Sequence, residues 1–274
     1  MLKQPQLDYY EMGAGVVAFS TTRHGGCSKG RYASFNINRY CGDKEEDIVK
    51  NHKALCQTLG IGIDRLVMPH QVHATKVATV DETFFALSAT ERQEVLEGVD
   101  ALTTNLSDVC IGVSTADCIP VVLYDPEKRA ACAIHAGWRG TVERIVEKSV
   151  EAMAVAYGSR PQRLLAQIGP GIHFDGFEVG DEVYEAFMQA GFPTEQIAKK
   201  HPTTGKWHLD LPQCNRLQLV GSGLAPVNVK VSPVCTFHRW ADYFSARRLG
   251  TSSGRIFTGI MIQGNSQHEN PQHK

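Results

Sequence analysis

The sequence predicts an α+β fold with layered α/β/β/α architecture and mixed β-sheets. Three observations predict it. Short apolar strand-like runs come in series, a few amphipathic helical stretches interrupt them, and strands and helices do not alternate regularly as they would in a parallel βαβ protein. The 274 residues are 42% hydrophobic and 21% charged, ordinary values for a globular chain that buries a sizeable core.

"VVAFST" (Val16–Thr21) reads as a strand closed by the turn signal "HGG". "EEDIVKNHKALCQTLG" reads as a helix with Ile48, Leu55, Cys56 and Leu59 near one face and Gly60 as its C′ residue. Strands follow at "RLVMPHQVH", "KVATV", "DALTT", "CIGVST", "IPVVLY" and "AACAIH". After Gly137 the period changes. Val142, Ile145, Val146, Ser149, Val150 and Met153 predict an amphipathic helix that stops at Gly158. Beyond it come a strand at "LLAQIG", helices at "DEVYEAFMQAG" and "LPQCNRLQLVG", and strands at "VNVKVS" and "RIFTGIMI". No internal repeat or linker divides the chain, so residues 1–263 read as one domain and 264–274 as a disordered polar tail.

Charge and composition exclude several function classes. A net charge of −1 and a pI near 6.8 argue against nucleic acid or an anionic membrane as the main partner. The N-terminus lacks the apolar core of a secretory signal and no run is long enough to span a membrane, which predicts a cytoplasmic protein. Eight cysteines without a C-x-x-C pair are expected to be reduced thiols.

The segment "STADCIPVVLYDPEKRAACAIHAGWRG" concentrates the chemistry. "DPEK" suits a type I turn, and pairing Asp125 with Lys128 sets Cys118 directly opposite His135, with Cβ atoms ~4.5–5.5 Å apart on one face. A cysteine and a histidine so placed are a thiolate–imidazolium pair, part of a metal site, or core residues. "MPHQVH" offers a third ligand, His70 or His73, on opposite faces if the segment is a strand. Arg139 lies in the "AGWRG" turn after His135. There a helix N-terminus would favour an anion.

Ten motifs then occur in order, among them "TTRHGGCS", "SFN", "HQVH", "DAL", "STADCIP", "AIHAGWRG", "GPGI" and "FEVG". With them, over about residues 15–262, the chain resembles the YfiH family, also called the polyphenol oxidase or laccase-domain family and peptidoglycan editing factor. The resemblance implies a fold similar to the cysteine-dependent deamidase toxins. It also implies a mononuclear zinc held by His73, Cys118 and His135, these three also being the catalytic centre. Purine nucleoside phosphorylase activity on adenosine, inosine and methylthioadenosine is implied, together with adenosine deaminase activity. Copper-dependent laccase activity is also ascribed to the family, with copper as the alternative metal.

In that frame zinc would acidify a water toward pKa ~7 for hydrolytic deamination at adenine C6. Phosphorolysis needs a phosphate site, for which Arg23, Arg139 and Arg247 are candidates. Asn36 is a further substrate-binding candidate, and Phe244 or Tyr243 would stack on the base. Asp117 is read as a proton carrier or the orienter of a histidine, a structural role being favoured because on a strand it points away from Cys118. Two departures from the family pattern stand at His52, where an arginine is usual, and at Ala246, where an aromatic is usual. The partners expected are purine nucleosides and phosphate, with the protein a monomer or homodimer. The competing readings are a metal-free amide hydrolase with Cys118 as nucleophile and His135 as base, a copper polyphenol oxidase, and a non-catalytic metal- or nucleotide-binding regulator.

Overall fold

The computed structural model describes residues 3–264, so the tail at 265–274 lies outside the described residues. Numbered in chain order, a five-stranded sheet runs β1 (Leu7–Tyr10), β2 (Val16–Thr21), β14 (Ile256–Ile262), β6 (Cys110–Thr115), β3 (Leu66–Val67). A six-stranded sheet runs β13 (Val229–Val231), β9 (Leu165–Ile168), β7 (Ile119–Asp125), β8 (Ala130–Ala136), β5 (Ala101–Thr104), β4 (Val77–Thr79). A small sheet joins β10 (Glu178–Val179), β12 (Trp207–Leu209) and β11 (Ala198–Lys200). Both larger sheets are mixed: β3 is parallel to β6, β4 to β5 and β13 to β9, while the other pairs are antiparallel. The helices are α1 (Glu45–Leu59), α2 (Glu82–Ala86), α3 (Ala89–Leu96), α4 (Trp138–Val142), α5 (Ile145–Tyr157), α6 (Asp181–Gln189), α7 (Thr194–Ile197), α8 (Leu211–Gly221) and α9 (Ala246–Leu249).

The two-residue period of β7 and β8 builds the layers. Val122, Tyr124, Ala131 and Ala133 meet Ile111, Val113 and Ile260 of the five-stranded sheet. On the opposite face Val121, Leu123, Cys132 and Ile134 pack on Val146, Val150 and Met153 of α5 and Leu219 of α8. The outer face of the five-stranded sheet, with Phe19 and Phe257, is covered by Ala54 and Leu55 of α1. The order is therefore helix, sheet, sheet, helix. A hairpin apolar on both faces is what that central position demands.

Several expectations need correction. The β7–β8 turn is longer than "DPEK" suggests: Asp125 pairs with Ala130, its Oδ1 accepts from Glu127 N and Lys128 N, and Arg129 is left-handed at φ 48°. The register moves by two residues, so His135 stands opposite Pro120, not Cys118. An even shift keeps side chains on the same face, so Cys118 becomes a diagonal neighbour of His135. "RLVMPHQVH" forms a strand only over Leu66–Val67 before Pro69. The helix expected after Gly137 is two helices, split at Arg144 (φ 67°), whose guanidinium stacks on Phe192 and donates to Ala190 O. The helices at α1, α6 and α8 form as the sequence suggests, and all eight cysteines are free. Among the described residues no helix is long and apolar enough to cross a membrane.

His52 lies on the buried face of α1, and its Nε2–H donates to Ile37 O at 2.8 Å. Burial outweighs that bond and pushes its pKa down to about 4. The unfolded chain protonates His52 near 6.5, so stability is full above that pH and falls until about 4, by about 3 kcal/mol from this group. His52→Gln should therefore flatten the pH dependence of the urea midpoint between pH 7 and 4.5. An unchanged slope would refute this assignment.

Candidate metal centre

Two loops and the end of β8 converge at one end of the β7–β8 hairpin. His135 is the next-to-last residue of β8 and only 3% exposed. Cys118 sits between β6 and β7, immediately after Asp117, which is left-handed at φ 83°. His73 lies in a turn, also left-handed at φ 65°. Gln71 docks that turn on β6: its Nε2 donates to Ser114 O at 2.9 Å, and its Oε1 accepts from Ser114 N at 2.8 Å.

The donor atoms of His73, Cys118 and His135 all lie within 4.8 Å of one another. That is near the separation a single ion with bonds of about 2.0–2.3 Å bridges. The His73 and His135 rings meet edge to face, centroids 4.8 Å apart. His70 is not part of the cluster. Its Nδ1 pairs with Glu97 and its ring stacks on Tyr40.

Burial pushes the Cys118 thiol up, but the His135 and His73 rings beside it more than offset this and hold it well below the ordinary thiol range. Burial likewise pushes His135 down, and the Cys118 sulfur and the Asp100 carboxylate reverse the direction and raise it. The cysteine is thus poised as a thiolate, the form a metal requires. The donor set fits a metal, with one soft sulfur and two imidazoles at a three-ligand centre.

Sequence reading missed Asp100. This carboxylate is fully buried, accepts from His135 Nδ1 at 2.7 Å, and also accepts from the backbone of the His73 turn. The signal available was an acid directly ahead of a fully buried strand, "DALTT". Asp117 is not the orienter of a histidine. Its Oδ1 accepts from Thr236 Oγ1 and its Oδ2 from Arg247 N, both at 2.7 Å, and its carbonyl accepts from Ile172 N.

The other candidate residues are placed unequally. Arg139 is exposed on α4, with its guanidinium over Trp138. That helix is a single short turn and not the long helix expected to cradle an anion. Arg247 is exposed and tied to Asp117 through its backbone, and its Nη1 donates to Glu178 O. Arg23 is committed to Ala33 O and Trp240 O and lies over the Phe244 ring. Asn36 is fully buried, accepting from Arg255 N and donating to Asp43. Phe244 is fully buried beside Ala116 and Ile256, which leaves it no ring face for a base. Tyr243 is buried too, its hydroxyl donating to Asp8. Ala246 opens α9, partly buried against Phe244's cluster.

The family described as multi-copper polyphenol oxidoreductase laccase matches residues 17–263. A purine nucleoside phosphorylase of Bacteroides thetaiotaomicron is 44% identical over 249 residues, 91% of this chain and 92% of that protein. Adenosine deaminase RL5, from an unknown prokaryotic organism, is 45% identical over 260 residues, 95% of this chain and 99% of that protein. The crystal structure of YlmD from Geobacillus stearothermophilus superposes with a TM-score of 0.85 at 32% identity, covering 92% of this chain and 93% of that one. The chain belongs to the YfiH family.

Two glycines let the loops close on the centre. A Cβ on Gly137 would stand 2.9 Å from His73 Cδ2 and 3.2 Å from Cys118 Sγ. A Cβ on Gly171 would stand 2.3 Å from Ile119 Cδ1 and 3.1 Å from Cys118 O. Gly137→Ala is expected to push two ligands apart and lower bound metal by about tenfold or more, with the fold retained by circular dichroism. Full metal content in this variant would contradict the packing described.

Proposed function

We propose that the chain is a zinc-dependent purine nucleoside phosphorylase, converting adenosine, inosine or methylthioadenosine and phosphate to base and ribose 1-phosphate sugars, with adenosine deaminase activity at the same site. The observation that carries this reading is the His73–Cys118–His135 cluster, in a chain 44–45% identical to proteins named for those two activities. When bound, zinc supplies Lewis acidity at the position that three protein ligands leave open. Copper is the alternative occupant of a His₂Cys set. Multi-copper oxidation couples several ions, and among the described residues this is the one such cluster.

The chain's own residues divide the remaining work. Asp100 holds His135 with its Nδ1 side toward the protein. Arg139, four residues after His135, and Arg247, bonded through its backbone to the residue before Cys118, are the exposed cations proposed to bind phosphate. Arg23 and Asn36 fix loops instead of contacting substrate, Arg23 through Ala33 O and Trp240 O and Asn36 through Asp43 and Arg255 N.

One observation favours a second reading. The lowered Cys118 thiol beside a raised His135 is also the arrangement of a metal-free cysteine hydrolase, as the resemblance to deamidase toxins suggested. A single experiment separates the two. Protein purified without added metal is analysed for metal, then assayed on adenosine with and without phosphate, before and after chelation. The expected result is stoichiometric zinc, adenine release only with phosphate, inosine release without it, and loss of both on chelation. Cys118→Ala should lower both activities by about 100-fold or more. Turnover that survives chelation but not iodoacetamide would replace this reading with the hydrolase.

A further inference from the structure

We infer that Asp100 is a positioning residue that sets both histidine donors of the metal centre at once, one through its side chain and one through its backbone. This inference rests on the metal-site reading and is independent of which nucleoside reaction follows. Four donors converge on this one buried carboxylate. Oδ1 accepts from His135 Nδ1 at 2.7 Å and from His73 N at 3.0 Å. Oδ2 accepts from Ala74 N at 2.8 Å and from Val72 N at 3.3 Å. The Asp100 carbonyl also accepts from His135 N at 2.8 Å, so main chain and side chain grip the same ligand.

The three successive N–H groups of Val72, His73 and Ala74 form an anion-binding concavity around a left-handed residue. A histidine seldom adopts φ 65° unaided, and here the Asp100 carboxylate occupies the concavity and holds that conformation. The same carboxylate fixes the tautomer of His135. Facing Asp100, Nδ1 carries a hydrogen, which leaves Nε2 as the ring atom offered to the cluster with Cys118 and His73. The turn and the orientation of the His135 ring are therefore set by the fold before any ion arrives.

An amide cannot replace this group. In Asp100→Asn one oxygen becomes an NH₂. It would face either the N–H groups of Val72 and Ala74 or the Nδ1–H of His135, and none of these accepts a hydrogen bond. The turn opens or the His135 tautomer flips.

The test is zinc affinity by chelator competition on wild type and Asp100→Asn, with ¹⁵N-histidine NMR of the wild type as the second measurement. Asp100→Asn is expected to bind zinc 10–100-fold more weakly, with thermal unfolding still cooperative. In wild-type protein, metal-free and zinc-loaded, His135 should show a protected Nδ1–H, with zinc shifting Nε2. A folded Asp100→Asn protein with unchanged zinc affinity overturns the inference. So does wild-type His135 carrying no Nδ1 hydrogen, and that result decides even if the variant fails to fold. Should the wild type bind no zinc, the metal-site reading falls, while the Nδ1–H signal in metal-free protein still decides whether Asp100 clamps His135.

Discussion

The buried Asp100 carboxylate is the interaction on which the centre depends. A fully desolvated acid is costly unless its oxygens are satisfied, and here four N–H donors satisfy them. Those donors pull its pKa below the usual carboxylate range although burial alone would raise it. It is the junction between the rigid and the irregular parts of the site. His135 belongs to a strand sandwiched between two apolar layers, whereas His73 belongs to a turn with no ladder of its own. One side chain ties the second to the first.

Cys118 is fixed by a different set of contacts. Asp117, left-handed and with both carboxylate oxygens and its carbonyl hydrogen-bonded, joins the loop before β7 to Gly171–Ile172, to Thr236 and to the start of α9. Gly171 allows its loop to lie against the Asp117 and Cys118 carbonyls, and Gly137 leaves the space in which the three donor atoms meet. The centre is thus crowded by backbone on its protein side. Arg139 and Arg247 stand exposed on the short helices α4 and α9.

Much of this was legible in the sequence, and the failures have physical causes. The near-continuous apolar runs of β7 and β8 announced a buried hairpin because such runs are a local signal. Its register depended on one residue, Arg129, adopting a left-handed conformation, which no pattern of hydrophobicity reports. The ligand types were readable, and the expected pairing of Cys118 directly opposite His135 became a diagonal one on the same face because the shift was even. Asp100 was overlooked because its partners are backbone N–H groups 26–28 residues away, invisible to spacing arguments. The short helices α2 and α3 escaped periodicity, although the Ser88–Glu91 capping box was a readable signal. Phe244 was assigned to a base by its residue type, but apolar neighbours and Arg23 claim it for the core.

The family description points to copper oxidation, whereas the named relatives point to purine nucleosides. The identity and position of the metal separate these chemistries. The most direct measurement is anomalous diffraction at the zinc and copper edges, from crystals of protein purified without added metal. A single zinc peak is expected within bonding distance of His73, Cys118 and His135. A copper peak there, or a zinc peak elsewhere with this cluster empty, would contradict it.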